Sequence, residues 1–198
     1  MRAALRQDNR PAQSYKLSIL ICALPTRLDS LAALYRKLNS QKIGRAVEII
    51  TLTDFKDITV GEKRNLLVQM AAGDYVAFID DDDDVSDDYV SQIMEAIDQD
   101  PDCVSIKCWE TTNGKNRTLV NFTIEAGKNH RVGREKFYLP NHICAIRSRI
   151  AKEHKFEHIN LSEDHKWAAA IQPDLKREVC IGPVYFYNFV RSKSETRR

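Results

Sequence analysis

The chain has 198 residues, 43% hydrophobic and 29% charged, a length and balance that suit one globular domain with a full core. Its net charge of +2 gives no polyelectrolyte signal for nucleic acid, and no apolar run reaches the roughly 18 residues that a membrane span requires. Five cysteines, an odd count without CxxC spacing, read as buried free thiols in a reducing cytoplasm.

Residues 1–15 lack the apolar segment of a signal peptide and read as a flexible basic tail. KLSILICAL (16–24) is a short β-branched run, predicted as a strand. It leads into a helix in which Leu28, Leu31, Ala32, Tyr35 and Leu38 recur at helical spacing. VEIITL (47–52) is a second strand, ending in Thr53 and Asp54. GEKRNLLVQMAAG (61–73) predicts a helix closed by Gly73 as its C′ residue. YVAFI (75–79) is apolar on both faces, as central parallel strands are. SDDYVSQIMEAIDQDP predicts a helix with Ser86 as N-cap, Asp87 and Asp88 at the positive end of the dipole, and Val90, Ile93, Met94 and Ile97 buried.

In the second half, CVSIKCW (103–109) and RTLVNFTI (117–124) read as strands joined by the turn TNGKN. Residues 127–142 read as a long polar loop, LSEDHKWAAAIQP (161–173) as a short helix capped by Ser162, and VCIGPVYFYNFV (179–190) as a final strand interrupted by Gly182 and Pro183. The β-α-β-α-β-α order of the first half predicts an α/β class with a mostly parallel central sheet between helices, in one domain.

Ligands of such sheets bind beyond the carboxyl ends of the strands, and the run VAFIDDDDDVSDDYV (76–90) begins at one. If the strand conformation continues, Asp80 and Asp82 lie on one side and both reach one cation; Mg²⁺ and Mn²⁺ prefer such oxygen ligands. A solvated acidic loop is the plainer alternative. An EF-hand fits poorly, because position 6 from Asp80 is Val85 and no glutamate closes the loop. Residues 107–136 are basic, with Lys107, Lys115, Arg117, Lys128, Arg131, Arg134 and Lys136 against three glutamates. An acidic spot facing basic loops suits a metal with a polyanionic ligand, although scattered surface charge looks similar.

The block GEKRNLLVQMAAGDYVAFIDDDDDVSDDYV resembles the nucleotide-sugar-binding core of the family 2 glycosyltransferases, which have a GT-A fold. The matching residues are Arg64-Asn65, Gly73, Tyr75, Asp80 to Asp83, and Asp87-Asp88-Tyr89-Val90. The resemblance spans residues 16–100 and returns at 138–192. It implies a single-domain, Rossmann-like GT-A fold over residues 16–192, with a nucleotide-sugar-binding half (16–100), an acceptor half (101–192) and a basic tail (193–198). The implied reaction is inverting, metal-dependent transfer of one sugar from a nucleotide diphosphate donor, favoured as UDP-linked, to a hydroxyl.

Carried over by position, the resemblance makes Asp82 the ligand of Mn²⁺ or Mg²⁺, with Asp80 and Asp81 at the ribose or assisting the metal. Ala23, Leu24, Pro25, Thr26 and Arg27 match the segment that holds the base. Asp54 matches the carboxylate that accepts from a pyrimidine N–H, and an ordinary turn cap explains it equally. Arg64 reaches the diphosphate or simply packs. In LSEDHKW, Glu163 and Asp164 match the family's Glu-Asp pair and Asp164 its catalytic base, with helix capping as the plainer reading. His142 matches the segment lining the sugar pocket, and Arg191 and Ser192 the closing loop that meets phosphates or acceptor; structural or tail roles explain the same residues. Thr26-Arg27 replaces the usual Tyr-Asn, and the absence of Gln-x-x-Arg-Trp argues against a processive synthase. Loop 127–136 is the expected acceptor region or lid, for a glycan, a lipid or a hydroxylated DNA base of the phage type. A non-catalytic nucleotide-sugar-binding module is the alternative. A nucleotidylyltransferase would want a glycine-rich loop, and ALPTRLDS has no glycine.

Overall fold

A computed structural model describes residues 14–189. The basic tails, apart from Ser14 and Tyr15, and with them the expectations for Arg191 and Ser192, lie outside the described residues. Strand β1 (Leu17–Ala23) pairs in parallel with β2 (Val47–Thr53) on one edge and with β3 (Tyr75–Phe78) on the other. Helices cover both faces of this core, so β1 is apolar on both, with Leu17, Ile19, Leu20 and Ile21 fully buried. Helix α1 (Leu28–Gln41) buries Leu31, Leu34 and Leu38 and packs against α3 (Tyr89–Ile97). Helix α2 (Val60–Met70) packs instead against α4 (Ser148–Glu153) and α5 (Glu163–Ile171). The result is a three-layer α/β/α arrangement.

The sheet continues through the short β9 (Ala145–Arg147), antiparallel to both β3 and β5 (Cys103–Thr112). β5 therefore runs the same way as β3, and β10 (Glu178–Phe189) lies parallel to β5. β10 also pairs antiparallel with β4 (Asp84–Val85), which follows the aspartate run. β6 (Lys115–Phe122) returns antiparallel to β5 through Asn113 and Gly114, whose φ values of 49° and 70° suit a tight hairpin turn. β1, β2, β3, β5 and β10 share one direction, against which β6 and β9 run, and the carboxyl ends of the adjacent β1, β2 and β3 lie on one side of the sheet. Among the described residues no helix is long and apolar enough to cross a membrane.

Several local expectations are corrected. Gly73 does not close α2, which ends at Met70 with Ala71 already extended. It is glycine because a Cβ there would sit 2.7 Å from the Ser18 nitrogen and 2.8 Å from the Leu17 carbonyl carbon. Ser86 is not the N-cap of α3. Asp88 occupies that position, and Gln41 at the end of α1 accepts the Val90 N–H at 2.9 Å while donating to the Ser86 carbonyl at 2.9 Å. Ser162 does sit at the N-cap of α5, but in left-handed backbone (φ 65°) and without a side-chain cap. Residues 127–142 are not merely loop: β7 (His130–Val132) and β8 (Glu135–Tyr138) form a hairpin that joins the sheet through β6. Gly182 and Pro183 shift the register of β10 without ending it. Cys103, Cys108 and Cys144 are buried as free thiols, whereas Cys180 is exposed.

Candidate active site

The carboxyl ends of β1, β2 and β3 gather most of the predicted side chains. β3 ends at Phe78, and Asp80 to Asp83 form a turn closed by the Asp83 N–H donating to the Asp80 carbonyl at 3.1 Å. Strand alternation stops before Asp80, so the same-side argument for Asp80 and Asp82 does not apply. Each aspartate has its own partners instead. Asp81 is buried and accepts from the Leu24 N–H at 2.8 Å and from Arg27 Nη1 at 2.8 Å, which ties the end of β1 to the end of β3. Arg27 belongs to the single 3₁₀ turn Pro25–Arg27, and its Nη2 lies 3.2 Å from Asp82 Oδ2. Asp82 is half-exposed at 48% of its side chain. Asp83 accepts from the Tyr185 hydroxyl at 2.8 Å, and that hydroxyl accepts the Asp80 N–H at 3.1 Å. Asp84 is taken by Lys37.

The Asp80 carboxylate, about one-third exposed at 35%, meets two buried side chains. Arg64 Nη2 lies 3.2 Å from its Oδ1 and His142 Nε2 3.5 Å from its Oδ2. Burial alone would raise the Asp80 carboxyl, but Arg64 and His142 hold it well below the usual carboxylate range. Asp82 goes the other way: desolvation raises it, Arg27 opposes, and the neighbouring Asp80 and Asp81 charges add to the rise.

The buried Arg64 guanidinium sits 5.2 Å and 5.7 Å from the ring centroids of Phe78 and Phe156, with Nε 3.5 Å from Glu163 Oε1. Among the described residues its Nε and Nη1 have no hydrogen-bond partner, and neither does either ring nitrogen of the buried His142. His142 is held edge-on against Phe78, and its carbonyl accepts the Phe78 N–H at 2.8 Å. Its Nδ1 lies 3.8 Å from Asp164 Oδ2. The imidazole thus stands between Asp80 at the end of β3 and Asp164 at the start of α5.

The packing behind this array fixes α5 relative to α2. Asn65, next to Arg64, clamps the Phe156 backbone: its amide donates to the carbonyl at 2.8 Å and its oxygen accepts the N–H at 2.9 Å. Phe156 stacks on Trp167 of α5 at 4.5 Å, and the Trp167 indole donates to the His154 carbonyl at 2.9 Å. Glu163 is buried beside Arg64, so it does more than favour a helix terminus. Asp54 bridges to the buried Lys63, which also reaches the Ala23 carbonyl at 3.3 Å. Its Oδ2 accepts the Ile58 N–H at 3.2 Å, so the turn role is real, and the carboxylate retains free lone pairs. Lys63 and Tyr185 are the site residues that sequence reasoning missed. A lysine in an amphipathic helix reads as exposed, and a tyrosine in an apolar strand reads as core.

A sequence model of the family described as Glycosyl transferase family 2 matches residues 48–155, more than half of the chain. The chain belongs to that family. No curated protein sequence matches this family 2 chain. Among solved structures it is similar to crystal structures of S. aureus TarS. TarS 1–349 in complex with UDP-GlcNAc matches with a TM-score of 0.63 at 14% identity, covering 87% of this chain and 58% of that one. The complex with UDP gives 0.60 at 15% identity, covering 87% and 60%. This family 2 chain thus spans about 60% of the length of those TarS fragments. The likeness establishes the GT-A fold.

Proposed function

We propose that the chain transfers one sugar from a nucleotide diphosphate donor, UDP-linked, to an acceptor hydroxyl, with inversion and with a divalent cation. The observation that supports this best is the continuity from Asp80 through His142 to Asp164. It joins the end of β3, where the donor diphosphate is expected, to a carboxylate at the start of α5. The TarS complexes with UDP and UDP-GlcNAc favour a uridine donor on this fold. Residues 16–100 then act as the donor half and 101–192 as the acceptor half.

In this mechanism Asp54, Ala23 and Pro25 to Arg27 flank the base, and Asp81 orients that rim through Arg27. Arg64, whose Nη1 has no hydrogen-bond partner among the described residues, contributes its charge to holding the diphosphate. Asp164 accepts the proton of the acceptor hydroxyl as its oxygen attacks the anomeric carbon from the face opposite the leaving UDP. His142 holds Asp164 and Asp80 in register and lines the sugar. Asp82 and Asp80 are hard oxygen donors of the kind Mn²⁺ or Mg²⁺ prefers; burial raises the Asp82 carboxyl, the Asp80 and Asp81 charges add to the rise, and a cation would oppose both. Such an ion, when bound, neutralises charge on the departing diphosphate.

The test is UDP-sugar hydrolysis and transfer with Mn²⁺. Asp164→Asn should lower kcat by about 10²–10⁴-fold while UDP binding persists, and Asp82→Ala should abolish the metal dependence. Circular dichroism checks that both variants fold. Full activity in either variant overturns its assignment.

A further inference from the structure

Tyr185 lies in β10, more than 100 residues along the chain from the aspartate run that its hydroxyl meets. The strand is irregular where it arrives. Its register against β5 shifts between Cys180 and Pro183 and again between Pro183 and Tyr185, and Pro183 has no N–H to give the ladder. Such irregularities re-aim side chains. Here Val184 and Tyr185 are consecutive yet both buried, at 0% and 1%. β10 also pairs with β4, Tyr185 opposite Val85, and the Val184 carbonyl accepts the Ser86 N–H at 2.9 Å. The tyrosine is therefore anchored to the segment that follows the run. Its hydroxyl uses both of its hydrogen-bonding roles there. It donates to Asp83 Oδ2 at 2.8 Å and accepts the Asp80 N–H at 3.1 Å, so one oxygen joins the first and last residues of the Asp80–Asp83 turn. From the other side, the Leu24 N–H and Arg27 hold Asp81. Between these two ties Asp82 is left half-exposed.

We infer that Tyr185 is a positioning residue for the divalent cation: its hydroxyl holds the aspartate turn in the shape from which Asp80 and Asp82 take Mn²⁺ or Mg²⁺. The inference deepens the proposed donor site and rests on it. Phenylalanine at this position would fill the same space and remove both hydrogen bonds, leaving the Asp80 N–H without its acceptor. A turn released in this way has to be ordered again when the ion binds, and that ordering costs affinity. The aspartates themselves are untouched by the change. Tyr185→Phe therefore separates the shape of the turn from its charge.

The experiment compares Tyr185→Phe with the unaltered protein in two measurements, neither of which is activity. Amide exchange followed by NMR without metal tests the tie itself. The Asp80 amide should exchange at least about tenfold faster in the variant. The Ile79 amide, bonded to the Leu20 carbonyl at 3.0 Å, should keep its rate. Mn²⁺ titration in the presence of UDP, with the free ion counted by electron paramagnetic resonance, tests the consequence. The variant should bind Mn²⁺ about tenfold more weakly, with its affinity for UDP under chelation unchanged. Equal Mn²⁺ affinity in the two proteins overturns the inference, as does an Asp80 amide that exchanges as slowly as before. Faster exchange at Asp80 and Ile79 alike, with weaker UDP binding, would make Tyr185 a core residue only and overturns it too. Failure of the unaltered protein to bind Mn²⁺ is a separate result: it overturns the cation reading of Asp82, and the inference falls with it.

Discussion

Five consecutive aspartates need nearby donors and cations to offset their repulsion, since like charges about 4 Å apart repel by ~4 kcal/mol even at an effective dielectric of 20. Arg64 and His142 face Asp80, Arg27 is shared by Asp81 and Asp82, Tyr185 donates to Asp83, and Lys37 holds Asp84. A second carboxylate at the site, Asp54, offers a cleaner titration. Burial works to raise it, but the Lys63 hydrogen bond prevails and lowers it below the ordinary value. A carboxyl depressed in the folded state contributes stability above its unfolded pKa of about 3.9, and that contribution is lost as pH falls through the folded value. The pair is nearly solvent-free, with 4% of the Lys63 and 12% of the Asp54 side chain exposed, so screening weakens it little. Asp54→Asn should therefore cost about 1.5–3 kcal/mol at pH 7, with the deficit shrinking as pH approaches 3. Urea unfolding at both pH values measures it. A deficit independent of pH would mean that the Ile58 turn, and not the ion pair, carries the effect.

At the scale of elements, the N-terminus of α2 is occupied by chain arriving from the second half. The Gly61 N–H donates to the Ile159 carbonyl at 3.2 Å and the Val60 N–H to Asn160 Oδ1 at 2.9 Å. A Cβ on Gly61 would stand 1.8 Å from the Glu157 carbonyl oxygen. Alanine normally favours a helix over glycine by about 1 kcal/mol, yet here the backbone collision wins. Gly61→Ala should lower the melting temperature and displace residues 157–162, which lead into Glu163 and Asp164, so transfer activity should fall as well. Gly114→Ala is the control: nothing lies within 4 Å of its Cβ and only a φ of +70° opposes it, so its cost should be smaller and activity unaffected. Equal melting temperatures for the two variants would refute the collision. The same elements show what could be read in the chain. β1, α1, β2, α2, β3 and α3 were legible because apolar period and turn chemistry agree, as in KLSILICAL and LDSLAALYRKL, whereas the two-residue β4 was not. The β7–β8 hairpin was not, because strands of three and four residues with exposed charge carry no period-2 signal. The reason for Gly73 was hidden too, since its neighbour Ser18 lies 55 positions earlier.

At the scale of the whole molecule, the candidate site joins segments that fold far apart in sequence. Asn65 on Phe156, Phe156 on Trp167 and Arg64 between Asp80 and Glu163 lock α2, β3 and α5 into one array. Arg64 and His142 are buried there with nitrogens that have no hydrogen-bond partner among the described residues, only carboxylates at 3.5–3.8 Å for three of them, and an unsatisfied buried polar group costs about 1–3 kcal/mol. An anionic ligand that meets them recovers part of that cost. A ligand bound only by the folded state at 100 times its Kd stabilises by about 2.7 kcal/mol, and each kcal/mol shifts the melting temperature of a chain this long by about 2–4 °C. UDP with Mn²⁺ should therefore raise the melting temperature by about 5–10 °C. Chelation should remove most of the shift, and Arg64→Met should reduce it while leaving Mn²⁺ binding in place. A full shift under chelation would remove the cation from the donor reading, and no shift at millimolar UDP would remove the donor.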